Sequence, residues 1–142
     1  MKARIKWVEQ ATFLGESGSG HTVVMDGAPE VGGRNLGVRP MEAILLGLGG
    51  CTAFDVVSIL RKARQPIDDC VVDIEAERAS SPPKVFTRIH IHYRIIGQGV
   101  SEERVERAIA LSTEKYCSAT IMLGKAAEIT HDYEVVLPAQ NS

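Results

Sequence analysis

The sequence predicts an α+β fold in the order βββ-α-ββ-αα-β, built around a long central helix as a single domain over residues 1–142. Two groups of short segments alternate between apolar and polar residues, as half-buried strands do. A long apolar segment between these groups begins at Pro40 and ends before Pro66, which is typical of a helix. The length of 142 residues matches one domain, and 44% of the residues are hydrophobic, which suffices for one core.

Three short strands are predicted in the N-terminal region. Residues 2–8 alternate between the two faces of a strand, so this segment is expected to be half-buried. Its apolar face carries Ala3, Ile5 and Trp7. Residues 12–15 and 21–25 are expected to form two more strands, joined by the Gly-Ser-Gly turn at residues 18–20. Residues 26–38 hold four glycines and one proline without periodicity, which predicts a loop before the helix.

The long helix is expected to run from Pro40 to about Arg64. Proline suits the first helical position because its missing N–H has no partner there. The first half of the segment is apolar on nearly every side, which predicts a helix in the protein core. Gly47, Gly49 and Gly50 interrupt it, although each glycine costs about 1 kcal/mol relative to alanine. They indicate close approach by another element, access for a substrate, or tight helix packing alone.

Five further elements complete the predicted order. They are two strands, two helices and a last strand, at residues 70–76, 85–95, 101–116, 118–126 and 129–137. Ser101 is a good N-cap for the second helix because Glu102 and Glu103 follow it in the first turn. The inward stripe of that helix is expected to consist of Val105, Ala108, Ile109 and Ser112.

Composition and charge exclude several classes of protein. The 16 basic and 18 acidic residues give a net charge of −2, which argues against binding to nucleic acid because no basic excess exists. The N-terminus lacks the apolar segment of a secretory signal. The longest uncharged run, residues 43–54, is shorter than the about 20 residues that span a bilayer. The sequence therefore predicts a cytoplasmic protein that does not bind a membrane.

The three cysteines are too few, and odd in number, for a fully paired disulfide scaffold within one chain. Cys51 lies in the middle of an apolar helix, where burial raises the pKa of a thiol and no helix end helps to ionise it. Either a cation from elsewhere activates Cys51, or its thiol is inert. Cys117 precedes Ser118, the predicted cap of the third helix, whose positive end is expected to lower the Cys117 pKa. Cys70 opens a strand and is predicted to be structural.

Two cysteine motifs resemble those of a known family. Residues 40–42 (Pro-Met-Glu), followed by Leu45, Leu46 and the Gly-Leu-Gly-Gly-Cys run at residues 47–51, are similar to the first-cysteine helix of the OsmC/Ohr family. Residues 114–118 (Glu-Lys-Tyr-Cys-Ser) resemble its second-cysteine segment, 66 residues further along the chain. The element order and the last strand agree with the family over nearly the whole chain, and within the family the resemblance is to the YhfA-like branch.

The resemblance implies an intertwined homodimer, with the long helices packed centrally and an active site at the subunit interface. It implies a thiol-dependent peroxidase of the oxidative stress response that reduces organic or inorganic hydroperoxides. By position in the motifs, Cys51 would be the peroxidatic thiol, Cys117 the resolving thiol and Glu42 a third catalytic residue. The family's reductant is an external dithiol or lipoyl-type compound, so neither a bound cofactor nor a metal is expected.

Two acidic residues lie near Cys51 in the sequence. Glu42 precedes it by nine residues, which places the two side chains roughly 180° apart around one helix. Either a helix distortion or a partner subunit must therefore bring Glu42 to the thiol. Asp55 follows Cys51 by one turn, and its negative charge would oppose thiolate formation.

Departures from the family pattern leave other hypotheses open. The peroxidase branches place a carboxylate directly after the opening proline, whereas here Met41 follows it and the acid is Glu42. They also use an arginine from an early strand or loop, whereas here Arg34 and Arg39, before the helix, are the candidates for activating the thiol or binding substrate. One alternative is a ligand-binding or redox-sensing dimer of the same fold with little peroxidase turnover. Another is a structural protein in which the cysteines only pack.

A pair of histidines, His90 and His92, alternates on one predicted strand. Such a pair can belong to a metal site, but no cysteine or acid stands beside it at ligand spacing in the sequence. We therefore predict no metal site and expect both side chains to face solvent or to form hydrogen bonds.

Overall fold

The computed structural model describes residues 1–139, over which it contains six strands and three α-helices. In chain order the elements are β1 (Ala3–Glu9), β2 (Thr12–Ser17), β3 (Thr22–Met25), α1 (Pro40–Lys62), β4 (Asp69–Arg78), β5 (Phe86–Ile96), α2 (Glu102–Leu111), α3 (Ser118–Leu123) and β6 (Glu128–Val136). This order confirms the predicted α+β fold. The chain falls into two compact units, Met1–Leu46 and Gly47 onward, with the boundary inside α1. The single-domain description stays a prediction.

The first unit contains an antiparallel sheet in the order β1-β2-β3. The predicted turn between β2 and β3 is present, because the Gly20 N–H donates to the Ser17 carbonyl at 3.0 Å and Gly20 has a φ of 88°. All of β1 is exposed, with Ile5 at 59% and Trp7 at 63%. The predicted half-burial of this strand is therefore wrong for the single chain, since its apolar face lies uncovered by the described residues.

Asp26 organises the loop that leads into α1. Its carboxylate is 1% exposed and accepts the backbone N–H groups of Gly27 at 2.7 Å, Leu36 at 3.2 Å and Arg34 at 3.3 Å. Burial on its own would raise the Asp26 pKa, but these hydrogen bonds together hold it below its ordinary value. The predicted loop thus has a defined structure, because one buried anion satisfies the N–H groups of three of its residues.

The second unit contains a sheet in the order β4-β5-β6. The predicted hairpin is confirmed, with β4 antiparallel to β5. In contrast, β6 pairs in parallel with β5, and α2 and α3 lie in the connection between them. One face of β5 is buried as predicted: Ile89, Ile91, Tyr93 and Ile95 are each no more than 1% exposed.

Only one stripe of α1 is buried in the single chain. It comprises Leu48, Thr52, Val56 and Leu60, which are each 0% exposed and follow one another at four-residue intervals. Phe54, by contrast, is 74% exposed. The prediction of a core helix covered on all sides is therefore wrong for one chain, although its start and its end near Arg64 agree with the sequence.

Within residues 1–139, one helix, α1, is long and apolar enough to span a membrane. Core helices of soluble proteins can have the same length and apolar composition, so this property alone is weak evidence for a membrane protein. The expectation that the protein does not bind a membrane stays a prediction.

The region after β5 begins with α2, whose predicted cap is confirmed. The Ser101 hydroxyl accepts the Arg104 N–H at 3.4 Å. A π-helical turn, Ser112–Tyr116, follows α2 and replaces its predicted last turn. Cys117, not Ser118, caps α3, because its backbone is extended and its Sγ accepts the Thr120 N–H at 3.3 Å.

Candidate functional site

Cys51 and Cys117 come together in the second unit. Cys51 is half-buried on α1, and Cys117 is fully buried between the π-helical turn and α3. Both are free thiols, and the Cys51 side chain is close enough to Cys117 to raise its pKa. The two residues that the sequence predicts as a redox pair are therefore neighbours, and nothing covalent joins them.

The Cys117 thiol is harder to ionise than a free cysteine. Burial, the largest effect, raises its pKa; the hydrogen bonds from Thr120 lower the pKa, and Cys51 raises it again. The donors at the start of α3 lower this pKa, as the sequence predicts, but the net shift is upward. The helix has six residues, and burial of the sulfur outweighs the donors at its end.

Thr120 is the residue that forms hydrogen bonds with that sulfur. Its backbone N–H donates to Cys117 Sγ at 3.3 Å. Its hydroxyl is buried and, among residues 1–139, has no hydrogen-bond partner other than this sulfur. The hydroxyl is thus available to donate to Cys117 when a thiolate forms.

A buried chain of hydrogen bonds lies beside the thiol pair. Ser112 Oγ donates to a carboxylate oxygen of Asp55 at 3.0 Å. Thr52 Oγ1 lies 2.8 Å from Ser112 Oγ and 2.7 Å from the Tyr93 hydroxyl. Thr52, Ser112 and Tyr93 are each 0% exposed. We call these four residues the hydroxyl chain.

The direction of the hydroxyl chain follows from the number of protons. An ionised carboxylate only accepts, and each hydroxyl has one proton to donate. Ser112 uses its proton on Asp55, so Thr52 donates to Ser112 and Tyr93 donates to Thr52. Burial, the largest effect, raises the Tyr93 pKa to about 12, against a lowering by the bond to Thr52. Tyr93 is therefore a neutral donor at ordinary pH.

Ser112 also holds the backbone of Cys117. Its carbonyl accepts the Cys117 N–H at 2.8 Å, across the π-helical turn. Thr52, its partner on α1, directly follows Cys51 in the chain. Ser112, which holds the backbone of Cys117, is thus hydrogen-bonded to Thr52, the sequence neighbour of Cys51. Turns of this kind inside helices are frequent at functional sites.

The other predicted site residues lie in the first unit, and each has local partners there. Arg34 forms an ion pair with Glu9 at 2.8 Å. Arg39 Nη1 donates to Asn35 Oδ1 at 2.9 Å, and its backbone N–H donates to Glu42 Oε1 at 2.7 Å. Glu42 thus caps the start of α1. The roles of Arg34, Arg39 and Glu42 beside a thiolate stay predictions.

An open groove of about 540 Å³ runs along α1 near the thiol-bearing segment. Its lining is Gly50, Ala53, Phe54, Val57, Ser58, Arg61, Lys62 and Cys70. Of the three glycines, Gly49 alone faces a neighbour, since a Cβ there would lie 3.2 Å from Ile74 Cδ1. Gly47 and Gly50 face open space in the single chain. Close approach by another element thus accounts for one glycine of the three.

Cys70, on β4, belongs to the lining of this groove. Burial raises the Cys70 pKa, and the charge of Asp69 raises it further. A thiol whose pKa is raised is a poor nucleophile at neutral pH. These surroundings agree with the structural role that the sequence predicts for Cys70.

The histidine pair meets its acidic partners across the sheet. Asp132 Oδ1, on β6, lies 2.9 Å from His90 Nε2 and 2.7 Å from His92 Nδ1. Glu134 lies 3.3 Å from His92 and 2.9 Å from Arg94. The hydrogen bond that His92 donates to Asp132 is the largest of the effects that raise the His92 pKa. No group of three metal-ligating side chains that could hold an ion occurs in the part of the chain that the structure describes.

The hydroxyl chain is what reasoning from the sequence missed. A signal was present, because Ser112 is a polar residue in an otherwise apolar stripe of α2. Thr52 is a second polar residue at a buried position, next to a candidate catalytic cysteine. Polar residues at such positions need hydrogen-bond partners, which here are each other.

Known proteins are similar to this chain in sequence and in fold. The family model described as OsmC-like protein matches residues 32–132. The chain is 50% identical over 139 residues to Protein YhfA of Escherichia coli strain K12, which covers 96% of this chain and 98% of that protein. A hypothetical protein from Aquifex aeolicus VF5 is 31% identical, and its crystal structure aligns with a TM-score of 0.85 over 97% of both chains.

A more distant solved structure confirms the predicted fold. It is the crystal structure of an organic hydroperoxide resistance protein OsmC from Legionella pneumophila, with a TM-score of 0.69 over 97% of this chain and 96% of that one. Its sequence is 15% identical, so the likeness concerns the arrangement of helices and strands alone.

Proposed function

The chain belongs to the OsmC-like family, and from this premise we propose that it is a thiol-dependent peroxidase of the oxidative stress response. Cys51 is the peroxidatic thiol and Cys117 the resolving thiol. The observation that carries the proposal is that these two free thiols, 66 residues apart in the sequence, are neighbours in the second unit.

The proposed reaction has two chemical steps. The Cys51 thiolate attacks a hydroperoxide oxygen, so that an S–O bond forms, the O–O bond breaks and the departing alkoxide takes a proton to become an alcohol. The Cys117 thiolate then attacks the sulfenic sulfur of Cys51, and hydroxide leaves and is protonated to water. An external dithiol, of the lipoyl type, reduces the resulting disulfide and so restores both thiols.

The proposed active form is a homodimer in the cytoplasm. Large apolar side chains that the single chain leaves exposed support this proposal: Ile5 at 59%, Trp7 at 63%, Leu46 at 63% and Phe54 at 74%. A second copy of the chain would cover such surfaces, and the family resemblance points to the same arrangement. The proposal includes no bound cofactor, no nucleic acid and no membrane.

Activation of Cys51 needs a cation, and Arg39 and Arg34 are the proposed sources. Their present partners in the first unit are exposed or half-exposed, so these contacts are inexpensive to exchange. Glu42, which accepts the Arg39 backbone N–H, is proposed to orient that arginine. Replacement of Arg39 by alanine is expected to lower the rate of hydroperoxide reduction more than replacement of Arg64, which lies after α1.

The test is hydroperoxide consumption with dithiothreitol and with dihydrolipoamide as reductants. Cys51→Ser is expected to abolish turnover, whereas Cys70→Ser is the matched control and should retain it. One equivalent of organic hydroperoxide should lower the mass of the intact reduced chain by two hydrogens, through the Cys51–Cys117 disulfide. If the mass and the number of free thiols stay unchanged, the chain is not a two-cysteine peroxidase.

The groove along α1 favours a second candidate, a ligand-binding or redox-sensing dimer with little turnover. The groove combines apolar side chains with Arg61 and Lys62, which suits an apolar molecule with an anionic group. A fluorescent fatty acid is a direct probe. Tight binding, together with negligible hydroperoxide consumption by the wild type, would favour this candidate over the peroxidase.

A further inference from the structure

Two hydrogen bonds join the cysteine-bearing segments, and the shorter of them is fully buried. It links Thr52 Oγ1 on α1 to Ser112 Oγ at the start of the π-helical turn, over 2.8 Å. Thr52 is the residue after Cys51, and the Ser112 carbonyl accepts the Cys117 N–H at 2.8 Å. Any displacement of the turn away from α1 would therefore carry Cys117 away from Cys51.

Asp55 makes this link directional and fixes its geometry. Its carboxylate takes the Ser112 proton at 3.0 Å, which obliges Thr52 to be the donor to Ser112. Asp55 and Thr52 both belong to α1, so Ser112 is held by two hydrogen bonds to one rigid helix. Since Thr52 and Ser112 are 0% exposed, neither hydroxyl contacts bulk water.

We propose that Thr52 and Ser112 are positioning residues that hold Cys117 against Cys51 for disulfide formation, with Asp55 setting the direction of the bond between them. The inference rests on the redox pair of the proposed function. It gives Asp55 a role in orienting the hydrogen bond between Thr52 and Ser112. From its negative charge alone, Asp55 would be expected only to oppose ionisation of the Cys51 thiol. Thr52 and Ser112 do not react with the hydroperoxide in this proposal. They act on the distance and angle between the Cys51 and Cys117 sulfurs.

Variants of Thr52 separate the hydroxyl group from the shape of the side chain. Thr52→Val keeps the branched shape and removes the hydroxyl, whereas Thr52→Ser keeps the hydroxyl. Ser112→Ala breaks the same link from the other side. Tyr93→Phe is the matched control, because it removes the outer end of the hydroxyl chain and leaves the Thr52–Ser112–Asp55 part intact.

The experiment is the equilibrium between the Cys51–Cys117 dithiol and its disulfide in a series of glutathione buffers, in a Cys70→Ser background. We expect Thr52→Val and Ser112→Ala to lower the equilibrium constant for disulfide formation by about tenfold. Thr52→Ser and Tyr93→Phe should stay within about threefold of the parent protein. A role in stability alone would lower the free energy of unfolding of these variants without changing this constant.

The outcome separates this inference from the proposed function, because glutathione equilibration requires no hydroperoxide. An unchanged equilibrium constant in both Thr52→Val and Ser112→Ala would overturn the positioning role, whatever the turnover. A lowered constant rescued by Thr52→Ser would support it, even if the wild type reduced no hydroperoxide. If one of the two disruptive variants fails to fold, the other decides the question.

Discussion

Every buried apolar side chain of the described residues lies in the second unit, from Leu48 to Ala127. The buried side chains of the first unit are those of Thr12 and Asp26, which are both polar. In the first unit, Ile5 and Trp7 are 59% and 63% exposed, whereas Ile91 and Tyr93 in the second are 0% exposed. One sheet has a core in the single chain, and the other has an apolar surface.

This difference shows which unit of the chain holds the buried apolar side chains and the thiol pair. Burial of apolar surface is the main favourable contribution to folding, so the second unit supplies the stability of the single chain. The same unit holds the thiol pair and the hydroxyl chain, which gives the proposed chemistry a rigid setting. The first unit gains little by apolar burial within one chain, and it therefore suits the role of a surface for a second copy.

The largest effect expected from this comparison is on the free energy of unfolding. Ile91→Ala is expected to cost about 2–5 kcal/mol because the site is fully buried, whereas the exposed Ile5→Ala should cost less than about 1 kcal/mol in the monomer. Urea unfolding over a range of protein concentrations measures both. A cost for Ile5→Ala that grows with concentration would support burial of β1 by a partner subunit. Equal costs at every concentration would contradict the comparison.

A local effect is expected in the first unit, where Asp26 is the organising group. Asp26→Asn keeps the shape and removes the charge, so amide exchange at Gly27, Arg34 and Leu36 should quicken by about tenfold while that of Ile91 stays unchanged. The Asp26 pKa is lowered in the fold, so its contribution is present above its unfolded value near 3.8 and disappears as the pH falls through the folded value. Exchange rates of wild type and variant should therefore converge in acid.

A smaller effect concerns the chemistry of the second unit and leaves its packing intact. Thr120→Val removes the hydroxyl beside Cys117, which is expected to raise the Cys117 pKa further and to slow its alkylation at neutral pH by about threefold or more. Alkylation as a function of pH, followed by peptide mass, measures this shift. Stability should not fall, because no other described partner loses a hydrogen bond. Unchanged alkylation would show that the hydroxyl does not act on the sulfur.

The smallest effect is expected on the histidine cluster of the second sheet, which is partly exposed. The His92 pKa is raised, chiefly by its hydrogen bond to Asp132. The contribution of His92 to the free energy of unfolding is therefore full below its unfolded pKa of about 6.5 and is lost as the pH rises through its folded pKa. The Asp132 and Glu134 pKa values are lowered, so their contributions are lost as the pH falls below about 4.5. The stabilities of wild type and His92→Gln should therefore differ most between about pH 4.5 and about pH 6.5. Thermal unfolding of both proteins as a function of pH measures this difference.

Much of the fold was predictable because it follows from local patterns. The alternation that placed Ile89, Ile91 and Tyr93 on one face is a property of any strand, and their burial confirms it. The Ser101 cap was predictable for the same reason, since capping depends on residues within one turn. The two cysteine segments were recognisable from their motifs.

The parts that could not be predicted depend on residues distant in the sequence. Asp132 bridges His90 and His92 because the parallel register of β5 and β6 brings it there from 40 residues away. Ser112 begins a π-helical turn and its hydroxyl bonds to Asp55 on α1, which no pattern within α2 reveals. Local patterns therefore predict the elements, and tertiary contacts decide the site.

The parallel pairing of β5 with β6 predicts an order of assembly for the chain. The β4–β5 hairpin joins residues close in sequence, such as Arg78 and Phe86, whereas β6 must return across 40 residues to place Glu128 beside Arg88. Loop closure costs more for such distant pairs, so we expect the hairpin to form before β6 docks. Cys117 lies in the segment that this docking step closes. We therefore expect the thiol pair to be completed late in folding.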